Sequence, residues 1–206
     1  MTMETNWAAD HLQTIRTLME RSAVYRRALA PIMIYAGCLG TFSAAAGLIL
    51  QLNAFRAFFA LWFVTAGVVI VGALLIARRQ ALKDREPFWS PPTRRVAQAI
   101  APPLTAGMFL GLVLVRVGIR DATIITFVWL LFYGCALNAA GFFMPRGMKL
   151  FGWIYIGLSV ICLMFLAIEH ETIDISAHWL MGFFFGVLHL VYGAYLFLTE
   201  KGKNAA

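Results

Sequence analysis

Six apolar stretches, each about the length of a bilayer crossing, take up most of this sequence and leave little else to fold. They run over residues 28–52, 55–77, 98–118, 122–144, 150–168 and 177–198. A helix needs about 20 predominantly apolar residues to cross a hydrocarbon core of roughly 30 Å. Backbone amides in hydrocarbon must be bonded internally, which a helix achieves within one segment. None of the six runs has the alternation of a membrane-barrel strand. Of the 206 residues, 61% are hydrophobic and 13% charged, whereas a soluble domain carries about 25% charged residues. In water, that much apolar surface would lie exposed in large patches. The expected fold is all-α: a polytopic membrane protein with six transmembrane helices (28–198), an amphipathic N-terminal segment (1–27) and a short tail (199–206).

The connections carry breakers and charge. Gln51-Leu52-Asn53 makes the first turn tight, Pro87, Pro91 and Pro92 mark the longest loop, and Pro145-Arg146-Gly147 separates the fourth and fifth spans. Pro102-Pro103 is expected in the first turns of the third span, where proline costs least. Of the 17 Lys and Arg residues, all but Arg56, Arg116 and Arg120 fall in the N-terminal segment, the second and fourth loops and the tail. Basic residues collect on the cytoplasmic side, so both termini are expected there. An odd number of spans would place the two basic ends on opposite sides. The net charge of +7 therefore reads as topology rather than as a nucleic-acid surface. A charged leader precedes the first long apolar run, so no cleavable signal peptide is expected.

In the N-terminal segment Ala8, Leu12, Ile15 and Met19 recur at helical spacing, with Arg16, Glu20 and Arg21 off that stripe. Such a helix rests on the inner leaflet or docks a cytoplasmic protein partner. Cys38, Cys135 and Cys162 form no CxxC pair and read as buried free thiols.

The last span holds the chemistry. His178, Gly182, Phe185, His189, Tyr192 and Leu196 fall on one stripe at helical spacing. His189 lies near mid-span, where an ionisable residue faces the bundle interior and is a functional candidate. Asn138 and Thr65 are its candidate partners; the bland alternative is a neutral imidazole satisfied by a neighbouring helix. Gly182 and Gly186 form a small-xxx-small pair for close helix packing, within the chain or between copies in a homo-oligomer. The fifth loop brings Glu169, His170, Glu171, Asp174 and His178 together, acceptable ligands for zinc or another divalent ion. Its spacing matches no specific motif, and a solvated loop with Asp174 or Ser176 capping the sixth helix is the plainer reading. Arg116 could pair with one of these carboxylates or snorkel to the interface. His178 and His189 are roughly 16 Å apart at 1.5 Å per residue, too far to ligate one haem iron.

Two segments carry a resemblance. Ile15-Arg16-Thr17-Leu18-Met19-Glu20-Arg21-Ser22 and the run Gly182 to Gly193, with its GxxHxxYG pattern, are similar to those of an uncharacterised family of six-helix bacterial inner-membrane proteins. The resemblance implies a bacterial inner-membrane location and brings no activity, substrate or cofactor. Three function classes stay open. The first is a non-enzymatic sensing, regulatory or scaffolding protein, and the second a small transporter or channel. The third is a protein that binds a cofactor or metal through the last-span histidines, the cofactor being unknown.

Overall fold

The computed structural model describes residues 28–144, 146–169 and 175–204. Six helices are long and apolar enough to cross a membrane, and the protein is an all-α polytopic membrane protein. They are α1 (Ala28–Ile49), α2 (Phe55–Lys83), α3 (Pro91–Arg116), α4 (Ala122–Ala140), α5 (Arg146–Glu169) and α6. The last begins as α-helix over Ala177–Met181, passes through a π-helical turn over Gly182–Val187 and resumes over Leu188–Asn204. The amphipathic stripe of the N-terminal segment and the loop residues His170, Glu171 and Asp174 lie outside the described residues, as does the side chain of Glu169.

Several ends differ from expectation. The third helix starts at Pro91, with Pro91-Pro92 opening its first turn. Pro102 and Pro103 therefore sit well inside it. Arg94 and Arg95 are polar turns of the helix rather than loop, because a helix need not stop where its hydrocarbon-facing part does. Helices α1, α2 and α3 share one ending. Each finishes on a residue with positive φ: Gln51 (51°), Arg85 (54°) and Gly118 (94°). The next amide then reaches back five residues, Leu52 to Gly47, Glu86 to Ala81 and Ile119 to Leu114, each at 2.9 Å. This is the Schellman closure, which glycine adopts without penalty and other residues do not. Helix α4 opens on Asp121, whose carboxylate accepts from Thr123 N at 2.7 Å.

The core is built by four helices. Leu29, Ala30 and Met33 of α1, Phe127, Leu130 and Leu137 of α4, Met148, Phe151 and Tyr155 of α5, and Phe184 and Leu196 of α6 form one buried cluster. A second cluster joins Ala44, Phe58, Trp62, Ala177 and Met181 of α1, α2 and α6. Lipid tails are as apolar as leucine, so close backbone approach has to hold such a bundle together. Glycines supply it. A Cβ on Gly37 of α1 would lie 2.7 Å from Leu190 N of α6, and one on Gly152 of α5 would lie 2.8 Å from Gly134 O of α4. Gly182 and Gly186 face α1 in the same way, against Ala44 and Thr41.

Helices α2 and α3 are peripheral. Only 6% of the most apolar window of α2 is buried and 11% of that of α3, against 44% for α4. Their outer faces carry exposed Val64, Val71, Leu74, Phe109 and Val113, apolar side chains suited to lipid.

Candidate ligand-binding site

The π-helical turn decides what the two membrane histidines do. On an unbroken α-helix, residues 178 and 189 would share one face. A π turn inserts an extra residue and swings everything after it by about 100°. The expected single stripe is therefore split. His178 faces α1 and α2, whereas His189 faces α4 and α5.

His178 is 2% exposed. Its Nδ1 accepts from Trp62 Nε1 at 3.2 Å, and its Nε2 lies 3.1 Å from Leu52 O. An indole N–H only donates and a carbonyl only accepts. The ring is thus the neutral Nε2–H tautomer with both nitrogens engaged. It sits in the space that Gly47 leaves, with Phe58 edge-on at 5.1 Å. The one lone pair that could reach a metal already holds Trp62, so His178 acts as a clamp between α6, the α1–α2 turn and α2.

His189 is 1% exposed. Within the π turn, Leu188 N–H donates to Phe183 O, leaving Phe184 O without its usual α-helical donor. Two side chains meet that carbonyl: His189 Nδ1 at 2.9 Å and Tyr155 Oη at 2.5 Å. Nδ1 therefore carries the proton, and Nε2 accepts from Tyr133 Oη at 2.6 Å. Phe151 meets the ring edge-on at 5.5 Å and Phe185 stacks on it at 5.9 Å. The result is a neutral, fully bonded network across α4, α5 and α6.

The expected partners of His189 are elsewhere. Thr65 donates to Leu61 O at 2.8 Å and pairs with Ser43 at 2.8 Å. Asn138 Nδ2 is buried with no acceptor among the described residues. Tyr192, a candidate from the GxxHxxYG run, stacks on Phe151 at 4.6 Å and leaves its hydroxyl buried and unpartnered among the described residues. Tyr133 and Tyr155 take the roles assigned to these residues. Their signal was available in position, since tyrosine belongs at the membrane interfaces and these two sit mid-span. Arg116 is exposed at the last position of α3, and Cys38 is exposed on α1 rather than buried. No group of three or more metal-ligating side chains occurs among the described residues.

Beside this network is a cavity of about 340 Å³. Tyr133, His189 and Phe185 form its floor. Trp62, Thr65, Ala66 and Val69 of α2 form one wall, and Leu104, Thr105 and Met108 of α3 the other. Phe63 and Ile70 also line it yet are 44% and 50% exposed. Its mouth therefore opens between α2 and α3 toward the bilayer. Thr105 and Met108 of α3 and Tyr133 of α4 lie near the middle of their helices, so that part of the cavity is at the depth of the hydrocarbon core, whereas Trp62 and Met181 lie within the first eight residues of α2 and α6. No lining side chain carries a carboxylate, an ammonium or a thiol.

Fold and site together define a six-helix polytopic membrane protein with a lipid-facing apolar cavity over a buried tyrosine–histidine network. A scan against protein-family models and searches of curated proteins and of solved structures found no match to this chain.

Proposed function

We propose that the protein is a non-enzymatic sensor of a small lipophilic molecule, lying in a bacterial inner membrane with both termini cytoplasmic. The observation that carries this reading is the cavity. At about 340 Å³ it falls in the size range of small-molecule sites, which are mostly apolar with a few placed polar groups. A polar floor under apolar walls fits that description. Catalysis has less support, because the nitrogens of His189 are both engaged within the protein and the lining hydroxyls of Thr65, Thr105 and Tyr133 already donate to acceptors of the chain. Ion transport would need a charged or carbonyl-lined path, and the lining is mostly apolar with no Asp, Glu, Lys or Arg among it.

Sensing needs an element whose position depends on occupancy. Helix α2 fits that role, being the least buried of the six and forming one cavity wall. Its cytoplasmic end, which carries Arg78, Arg79 and Lys83, leads directly into the 84–90 loop, where a protein partner would read its movement. Paired spin labels on Leu74 of α2 and Ile161 of α5, in a cysteine-free background, test this. The distance distribution should differ between bilayers made from native membrane extract and bilayers of pure phospholipid. One distribution in both would contradict the reading.

A further inference from the structure

The hydrogen-bond inventory of the cavity wall restricts what can bind there. Trp62 Nε1 donates to His178, Thr65 to Leu61 O, and Thr105 to Ala101 O at 2.9 Å. Tyr133 donates to His189 Nε2, and His189 Nδ1 to Phe184 O. Five of the polar wall residues therefore have their protons committed inside the protein. What Thr65, Thr105 and Tyr133 have left to offer is oxygen lone pairs. Only Trp129, whose indole N–H has no acceptor among the described residues, adds a donor. The wall is acceptor-rich.

Among those oxygens Tyr133 is the strongest acceptor. A hydroxyl that donates to a buried imidazole nitrogen is polarised by that bond and accepts better in turn. The wall has no charge to pair with an ion, and an unpaired charge at this depth would be costly. A phospholipid headgroup is excluded by the same argument, since it belongs at the interface rather than in the hydrocarbon core.

We propose that the cavity binds a neutral lipophilic alcohol or phenol, which donates its hydroxyl proton to Tyr133 Oη while its hydrocarbon body fills the space between α2 and α3. This rests on the reading of the cavity as a ligand site. A lipid acyl chain, or a helix of a second copy, would fill the space without using the hydroxyl acceptor.

The test uses two isomers, 1-octanol and heptyl methyl ether, alike in atoms but different in having a hydroxyl proton. Each is titrated at matched bilayer mole fraction into the full chain in nanodiscs, with tryptophan fluorescence reporting on Trp62 and Trp129. The alcohol should bind about tenfold more tightly, the worth of one good hydrogen bond. In Tyr133→Phe that preference should shrink toward parity. In Ala66→Phe, which fills the cavity while leaving the network intact, saturable binding of both should vanish. Equal saturable binding of the two isomers, blocked by Ala66→Phe, would overturn hydroxyl recognition and leave the ligand site standing. Absence of any saturable signal, or a signal that Ala66→Phe does not affect, would overturn the site itself. Were Ala66→Phe instead to dissociate a dimer, the occupant would be a second copy and the proposal would fail.

Discussion

The phenol oxygen of Tyr133 lies 2.6 Å from Nε2 of His189, tying α4 to α6 at the floor of the cavity. Tyr155 reaches the same network from α5 through Phe184 O. In a bilayer an interhelical hydrogen bond contributes about 0.6–2 kcal/mol. Tyr133→Phe and Tyr155→Phe should each destabilise the folded protein by that amount in reversible unfolding by steric trapping. Tyr192→Phe should be neutral or stabilising, because it removes a buried hydroxyl with no partner among the described residues.

His178 should behave as a structural residue. His178→Leu leaves the Trp62 N–H and the Leu52 carbonyl unmatched, and each orphaned group costs about 1–3 kcal/mol. We expect a loss of unfolding free energy larger than that of Tyr133→Phe. In the fraction that remains folded the preference for octanol over the ether should persist, because the Tyr133 acceptor is untouched, even though the freed Trp62 N–H in the wall alters overall affinity. A selective loss of binding at full stability would contradict the clamp role.

The glycines divide by what faces them. A Cβ on Gly186 would lie 2.9 Å from Thr41 N of α1, whereas nothing lies within 4 Å of one on Gly67. Gly186→Val should separate α1 from α6 and lower the yield of monodisperse protein. Gly67→Ala should be tolerated and gain about 0.5–1 kcal/mol from helix propensity. Size-exclusion profiles and thermal melts of the two variants distinguish these outcomes.

Gln51 closes α1 at φ 51°, a left-handed conformation that costs a non-glycine residue roughly 1–2 kcal/mol. Gln51→Gly should therefore raise stability by about 1 kcal/mol. A drop in the melting temperature would show that the Gln51 side chain makes a contribution the backbone argument omits.

The spans were legible because long apolar runs have one workable solution in a bilayer. Their polar extensions were not, as Pro91 to Gln98 shows: prolines and arginines look like loop even where they open a helix. His189 stood out because an imidazole at mid-span is rare. Its partners were harder to see, because Tyr133 and Tyr155 are apolar enough to pass as ordinary span residues and only their position away from the interfaces sets them apart. Nor does composition show the π turn at Gly182–Val187, so the apparent stripe through His178 and His189 joined residues that face different helices. Gly118 announces its helix end, while Gln51 and Arg85 make the same closure with residues that give no sign of it.

Native mass spectrometry of the full chain released from mild detergent, compared with Ala66→Phe, tests the central claim most directly. The account predicts that the wild-type protein carries a neutral adduct smaller than a phospholipid and that the variant lacks it. A wild-type chain carrying nothing but phospholipid, with a spectrum matching that of the variant, would contradict it.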